Sequence, residues 1–261
     1  MENLSLKSKI KNAAYPFIFF IILLLLWEAV ARLGLLPEFI LPAPSEIVLS
    51  LVSDFNIMYL HILVTVYETV TGFLISVILA VALAVIMDTA LGIRRTIFPL
   101  VVISQTIPVI ILAPLFIIWF GYGYLPKIII VILICFFPVN ISLLSSLTST
   151  NREFVNLLRS MGAGKLQIYR FVKIPSAMPG LFSGLKIAAT YSITGATIAE
   201  WVGGQNGLGV YMIRARHSFA TDKVFASIIV VVILSIALLK FIEMIENKVL
   251  PWQKINENRY A

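Results

Sequence analysis

The chain runs to 261 residues, 60% of them hydrophobic and 13% charged, with a mean hydropathy of +0.99. A soluble globular domain is roughly half apolar and a quarter charged, so no single water-facing core absorbs this surplus and lipid must serve as solvent for much of the surface. The net charge of +7 does not indicate nucleic acid, because most basic residues sit in short segments between long apolar runs, where they set membrane orientation.

In chain order, Met1 to Asn12 carries Lys7, Lys9 and Lys11 ahead of a first apolar run, Tyr15–Ala31. Ala29-Val30-Ala31 fits the small-residue pattern of a signal-peptide cleavage site. An uncleaved first span is expected instead, because removing it puts the later basic loops on the wrong side. Next, Ser45 to Phe55 places Ile47, Val48, Leu51, Val52 and Phe55 on one helical face. With Ser45 as N-cap and Glu46 at the positive end, this predicts a short helix lying at the outer surface.

Five more apolar runs follow: Leu63–Met87, Pro99–Trp119, Leu125–Ser146, Leu181–Trp201 and Val224–Ile245. About 20 helical residues cross a hydrocarbon core of about 30 Å, so the reading is six spans. Helices are expected because backbone groups in lipid must be satisfied within the segment. Pro108 and Pro114 free backbone carbonyls in the third run and predict a kink there; broken helices are tolerated where they line a cavity. Cys135 lies in the fourth run and has no disulfide partner. Gly180 and Gly184 give the fifth run a small-residue face suited to helix packing or dimer contact. The glycine-rich turn Gly203–Gly209 follows no strand, which argues against a phosphate loop.

Lysine and arginine set the orientation. With the N-terminus inside, Lys7, Lys9, Lys11, Arg94, Arg95, Arg152, Arg159, Lys165, Arg170, Lys173, Lys248, Lys254 and Arg259 fall on the inner side. Arg32, Lys127, Arg214, Arg216 and Lys223 fall outside. The positive-inside rule then places both termini in the cytoplasm. Lys186 and Lys240, near inner span ends, are expected to snorkel to that interface. The expected organisation is a tail over 1–14, one six-span domain over 15–246, and a tail over 247–261. The fold class is an all-α, polytopic transmembrane helical bundle.

The largest inner segment, 149–179, has a pattern of its own. Thr150 to Met161 reads as a helix whose Phe154, Leu157, Leu158 and Met161 form a narrow apolar stripe. Gly162-Ala163-Gly164 ends it, because glycine tolerates positive φ. A second amphipathic stretch, Lys165 to Lys173, presents Leu166, Tyr169 and Val172, and Ile174-Pro175 is expected to stop it. Such a helix–glycine–helix hairpin rests on its own spans and lipid head groups or docks into another protein. Periodicity alone does not choose.

The run Asn156-Leu157-Leu158-Arg159-Ser160-Met161-Gly162-Ala163, with Val172-Lys173-Ile174-Pro175, resembles the EAA loop of ABC importer permeases. That pattern is Glu-Ala-Ala, three residues, Gly, nine residues, Ile, one residue, Leu-Pro. Gly162 and Pro175 match in identity and spacing, whereas Asn156-Leu157-Leu158 departs from Glu-Ala-Ala. The resemblance extends to Leu41-Pro42-Ala43-Pro44-Ser45, Ile107-Pro108, Trp119-Phe120-Gly121-Tyr122-Gly123, Phe136-Phe137-Pro138 and Ala199-Glu200-Trp201. These features look like the branch holding nitrate, sulfonate and taurine permeases and permeases for thiamine pyrimidine precursors. The stretches 185–191 and 207–212 look most like the last group.

The resemblance implies a bacterial plasma-membrane subunit that works as a pair of copies. Its other partners would be two cytoplasmic ABC ATPase subunits, an extracytoplasmic substrate-binding protein and membrane lipid. Asn156, Leu157, Leu158, Met161, Gly162, Ala163, Gly164 and Pro175 would form the ATPase-coupling element. The chain is expected to be no enzyme and to need no cofactor or metal, since it has no Walker-type phosphate loop and its two histidines are isolated.

For the substrate path, costly polar groups within spans are the candidates. Glu68 either lines the path or is solvated at the outer interface. Gln105, beside Pro108, lines the path or bonds a neighbouring helix. Glu200 is a gate or substrate contact, or a span-end residue beside the interfacial Trp201. His61 and His217 are expected in outer, solvated segments, and Asn140 in an interhelical hydrogen bond. A secondary transporter working without ATPases is the rival reading, although no internal repeat supports it.

Overall fold

The computed structural model describes residues 2–34 and 36–251. Its elements are α1 (Glu2–Arg32), α2 (Pro44–Ser53), α3 (Phe55–Thr89), α4 (Leu91–Ser104), α5 (Val109–Phe120) and α6 (Leu125–Thr148). They continue as α7 (Arg152–Ser160), α8 (Lys165–Ile168), a π-helical segment (Tyr169–Lys173), α9 (Ile174–Gly203), α10 (Leu208–His217) and α11 (Thr221–Val249). No strand occurs among the described residues. Residues 2–14, expected as a tail, belong to α1, the helix that covers the expected first span, while 252–261 of the expected second tail lie outside the described residues.

Among the described residues three helices, α3, α6 and α11, are long and apolar enough to cross a membrane. A fourth crossing arises if α4 and α5, bent by 97° at their break, form one broken span. The kink falls at Pro108, which caps α5 with extended backbone, and not at Pro114, which sits inside α5. α1 and α9 supply 31 and 30 residues. Lys186, Thr190, Ser192, Thr194, Thr197 and Glu200 dilute the apolarity of α9.

The chain forms two compact units, Met1–Tyr59 with Tyr211–Val230 and Leu60–Val210 with Val231–Ala261. In the second unit, small residues face inward. Ala80, Ala188, Ala189 and Ala196 gather with Val131, Cys135, Val139 and Phe182, while Leu74, Ile78 and Ile118 face outward. Lipid competes for large apolar side chains as well as protein does, so close backbone approach drives packing instead. The α6–α9 contact illustrates it. A Cβ on Gly184 would meet the Pro138 carbonyl at 2.7 Å, and one on Gly180 would strike Ser146. The small-residue face therefore packs within the chain. Asn140 Nδ2 donates to the Ala80 carbonyl at 2.9 Å, the interhelical bond expected of it. Lys186 does not snorkel alone but pairs with Glu246 at 2.9 Å.

The first unit is held by polar stitches. Glu28 accepts from Ser45 N at 3.0 Å and Ser45 Oγ at 2.7 Å, and Trp27 Nε1 donates to the Pro42 carbonyl at 3.1 Å. Ser45 is thus not the N-cap of α2. Ala43 holds that position, and its N–H donates to Glu46 at 2.9 Å. The face α2 buries is Ile47 with Ser50, whereas Val48, Val52 and Phe55 are exposed. Asp54, between α2 and α3, takes Lys223 Nζ at 2.6 Å and the Tyr211 hydroxyl at 2.8 Å.

Candidate functional site

Two arrangements in the second unit hold most of the candidate residues. The first is the hairpin. Asn151 caps α7, its side chain accepting from Glu153 N at 2.8 Å. At the other end Gly162 has φ +83°; its N–H donates to Arg159 O and the Ala163 N–H to Leu158 O, each at 2.9 Å. This six-to-one and five-to-two pair is a Schellman stop, and it requires the left-handed residue that glycine supplies. Gly164 then begins α8, its N–H held by Gln167 at 2.7 Å.

The second limb departs from expectation. Pro175 does not end it: the backbone widens into the π-helical Tyr169–Lys173 and runs on into α9. A proline ring clashes with the carbonyl four residues back, and the extra residue of a π turn shifts that register. The hairpin's second limb is therefore the start of α9.

Of the coupling candidates, Asn156 and Leu157 are exposed, Leu158 and Ala163 half-buried, and Pro175 half-buried. Val155 and Leu158 face inward, while Phe154, Leu157, Met161 (74% exposed) and Leu166 (82%) form an uncovered apolar surface. A groove of about 680 Å³ lies beside it, floored by Val85, Val155 and Ile168 and edged by Arg159, Lys165 and Arg170.

The second arrangement is a buried polar cluster. Glu68, fully buried on α3, receives Lys127 Nζ at 2.8 Å from α6. Solvation is excluded for both. Lys127, expected outside, is 5% exposed in the first turn of α6 and also lies over the Tyr124 ring. The other oxygen, Oε2, finds no hydrogen-bond donor among the described residues, and the Glu200 carboxyl is its neighbour. Glu200, buried on α9, accepts from Thr65 Oγ1 at 2.7 Å and from Gly209 N at 2.6 Å.

Two further bonds complete the cluster. Gly207 N donates to His61 Nδ1 at 3.0 Å and Leu208 N to Thr65 Oγ1 at 2.9 Å. Three consecutive N–H groups at the start of α10 are thus satisfied by side chains, with a carboxylate at the positive helix end. His61 is buried, contrary to expectation, while His217 is exposed. Glu68 and Glu200 come together; Gln105 and Pro108 do not join them, lying exposed at the α4–α5 break. His61, Thr65 and Lys127 are members that sequence reasoning missed, because each bonds a residue distant along the chain. No cluster of three or more potential metal ligands occurs among the described residues.

Residues 76–251 match the family described as "Binding-protein-dependent transport system inner membrane component". The formylaminopyrimidine transport permease protein ThiX of Halalkalibacterium halodurans is 36% identical, over 93% of this chain and 97% of that protein. The riboflavin transport system permease protein RibX of Chloroflexus aurantiacus is 29% identical, over 89% and 87%. A putative aliphatic sulfonates permease, SsuC of Bacillus subtilis, is 26% identical, over 90% and 86%. Among solved structures, a chain of an amino acid ABC transporter with histidines has a TM-score of 0.65 at 14% identity, covering 77% of this chain and 97% of its own. That last likeness is one of fold.

Proposed function

This chain belongs to the binding-protein-dependent transport inner-membrane components, ABC importer permeases of the cell membrane, and from that premise we propose that it imports a thiamine pyrimidine precursor of the formylaminopyrimidine class. In this reading six spans place both termini in the cytoplasm. Two copies pair with two cytoplasmic ATPase subunits and take cargo from an extracytoplasmic binding protein. The hydrolysis belongs to the ATPases.

The observation that carries the coupling is the uncovered stripe of Phe154, Leu157, Met161 and Leu166 on a hairpin capped at both ends of α7. A rigid apolar ridge of this kind suits a groove on a partner. Gln105 and Pro108, exposed where α4 turns into α5, are the residues offered to the path. Glu68 and Glu200, already bonded to Lys127, Thr65 and Gly209, hold the helices around it.

The substrate rests on the 36% identity to the formylaminopyrimidine permease. Sulfonate, taurine or nitrate is the alternative, supported by the sulfonate permease at 26%. Uptake by cells carrying this chain with its ATPase and binding protein separates them: labelled formylaminopyrimidine should accumulate and labelled taurine should not. Accumulation of taurine alone overturns the substrate. Uptake by the chain without any ATPase overturns the transport mode.

A further inference from the structure

One buried acid joins α3 to the hairpin. The Asp88 side chain, 3% exposed at the C-terminal end of α3, receives Lys173 Nζ at 2.9 and 2.6 Å on its two oxygens. The Tyr169 hydroxyl also donates to it. Tyr169 and Lys173 are the first and last residues of the π-helical segment. Asp88 therefore clamps both ends of the irregular backbone through which the hairpin passes into α9. A π turn is a rare interruption of an α-helix and frequently marks a functional site. Without the clamp it is the natural place for the hairpin to flex.

The same helix grips a second segment at its other end. His61 and Thr65 hold the N–H groups of Gly207 and Leu208, and Thr65 also donates to Glu200 on α9. Between these grips α3 contains no proline and no break. It is fixed to α6 by Glu68 with Lys127, by Ser76 Oγ donating to the Ile132 carbonyl at 3.0 Å, and by Asn140 with Ala80. From His61 to Asp88 the helix rises about 40 Å at about 1.5 Å per residue. One unbroken rod thus has the hairpin bonded to one end and the Gly203–Gly209 turn to the other.

We propose that Asp88 is a positioning residue of the transport cycle. It ties the hairpin to α3, so that α3 carries displacement of the hairpin to the Gly203–Gly209 turn. This rests on the reading in which an ATPase docks on the hairpin. A stiff element with bonded ends moves as a rigid body; a loose joint at Asp88 lets the hairpin bend at the π-helical segment, ahead of α9, so that the turn stays. Asp88 touches no substrate in this scheme. It acts through Lys173 and Tyr169.

The test uses the permease reconstituted with its ATPase and binding protein, with a fluorophore at Asn206→Cys in the turn. Asp88→Asn should still bring down the ATPase and keep basal hydrolysis. Uptake per ATP should fall about tenfold, within the usual range of coupling between sites, and the ATP-dependent change at the turn should vanish. The exchanged pair Asp88→Lys with Lys173→Asp should restore both. Wild-type uptake per ATP in Asp88→Asn overturns the proposal, as does a loss of ATPase binding that the exchanged pair does not repair. Failure of the wild-type chain to recruit an ATPase instead removes the function reading itself.

Discussion

Lys127 Nζ and Glu68 Oε1 lie 2.8 Å apart with both side chains buried, joining α6 to α3. Desolvation makes such a pair a doubtful source of net stability, but removing one partner leaves a charge stranded. Lys127→Met or Glu68→Gln alone should therefore destabilise the purified protein by about 3–5 kcal/mol. The double variant should recover most of that loss. Thermal unfolding in detergent, run on the full double-mutant cycle, gives the comparison; additive losses would refute a direct pair.

Gly162 offers a sharper separation of fold from function. A side chain at φ +83° costs about 1–2 kcal/mol, which a multi-helix protein can absorb. Open space surrounds that position, so Gly162→Glu should fold, yet it places a charge beside Met161 on the exposed ridge. The expected outcome is normal membrane insertion with loss of transport-stimulated ATPase activity. Gly162→Asn, which tolerates the left-handed region, should retain coupling. Normal uptake with normal stimulation in Gly162→Glu contradicts the role given to the hairpin.

The Asp54 corner makes a pH prediction. The Lys223 hydrogen bond, with a further one from the Tyr211 hydroxyl, holds the Asp54 carboxyl below its ordinary value against the opposing effect of burial. The folded value lies below the unfolded one, about 3.9 for aspartate. The contribution to stability is thus complete above that value and is lost as pH falls through the lower folded value. Hydrogen-exchange protection at the start of α3, taken relative to the intrinsic exchange rate at each pH, should stay flat from neutral pH to about 4 and fall only below. Asp54→Asn should lower that protection already at neutral pH and remove its acid dependence.

What the sequence made legible was local. The α7 stop at Gly162 follows from an apolar stripe and a glycine in adjacent residues, and it stands as a Schellman motif. The small-residue face of Gly180 and Gly184 was legible for the same reason. The π segment was not, because Pro175 signals a stop and only the tertiary hold of Asp88 on Tyr169 and Lys173 shows why the helix continues. The burial of Lys127 is not legible, because it follows a loop and Pro126 while its acid lies on another helix. The burial of His61 is not legible either, because its partner is a backbone N–H, that of Gly207. Ser45 looked like a cap, but Glu28 claims it and Glu46 caps Ala43 instead. In each case the deciding partner is remote in sequence or belongs to the backbone.

The exposed ridge also sets a gradient. Leu157→Asp and Met161→Asp, at exposed positions, should leave unfolding temperature unchanged and weaken ATPase association. Leu158→Asp, half-buried, should lower stability as well, since it forces a charge toward apolar surface. Equal effects on stability at all three positions would place the stripe against the chain's own helices.

The most direct measurement of the central claim is copurification. The chain, isolated from its native membrane in mild detergent, should bring down an ABC ATPase subunit, and Leu157→Asp with Met161→Asp should release that subunit while the permease stays folded. A chain that transports its cargo with no ATPase bound, or one whose ATPase remains attached after the ridge is charged, would contradict the account.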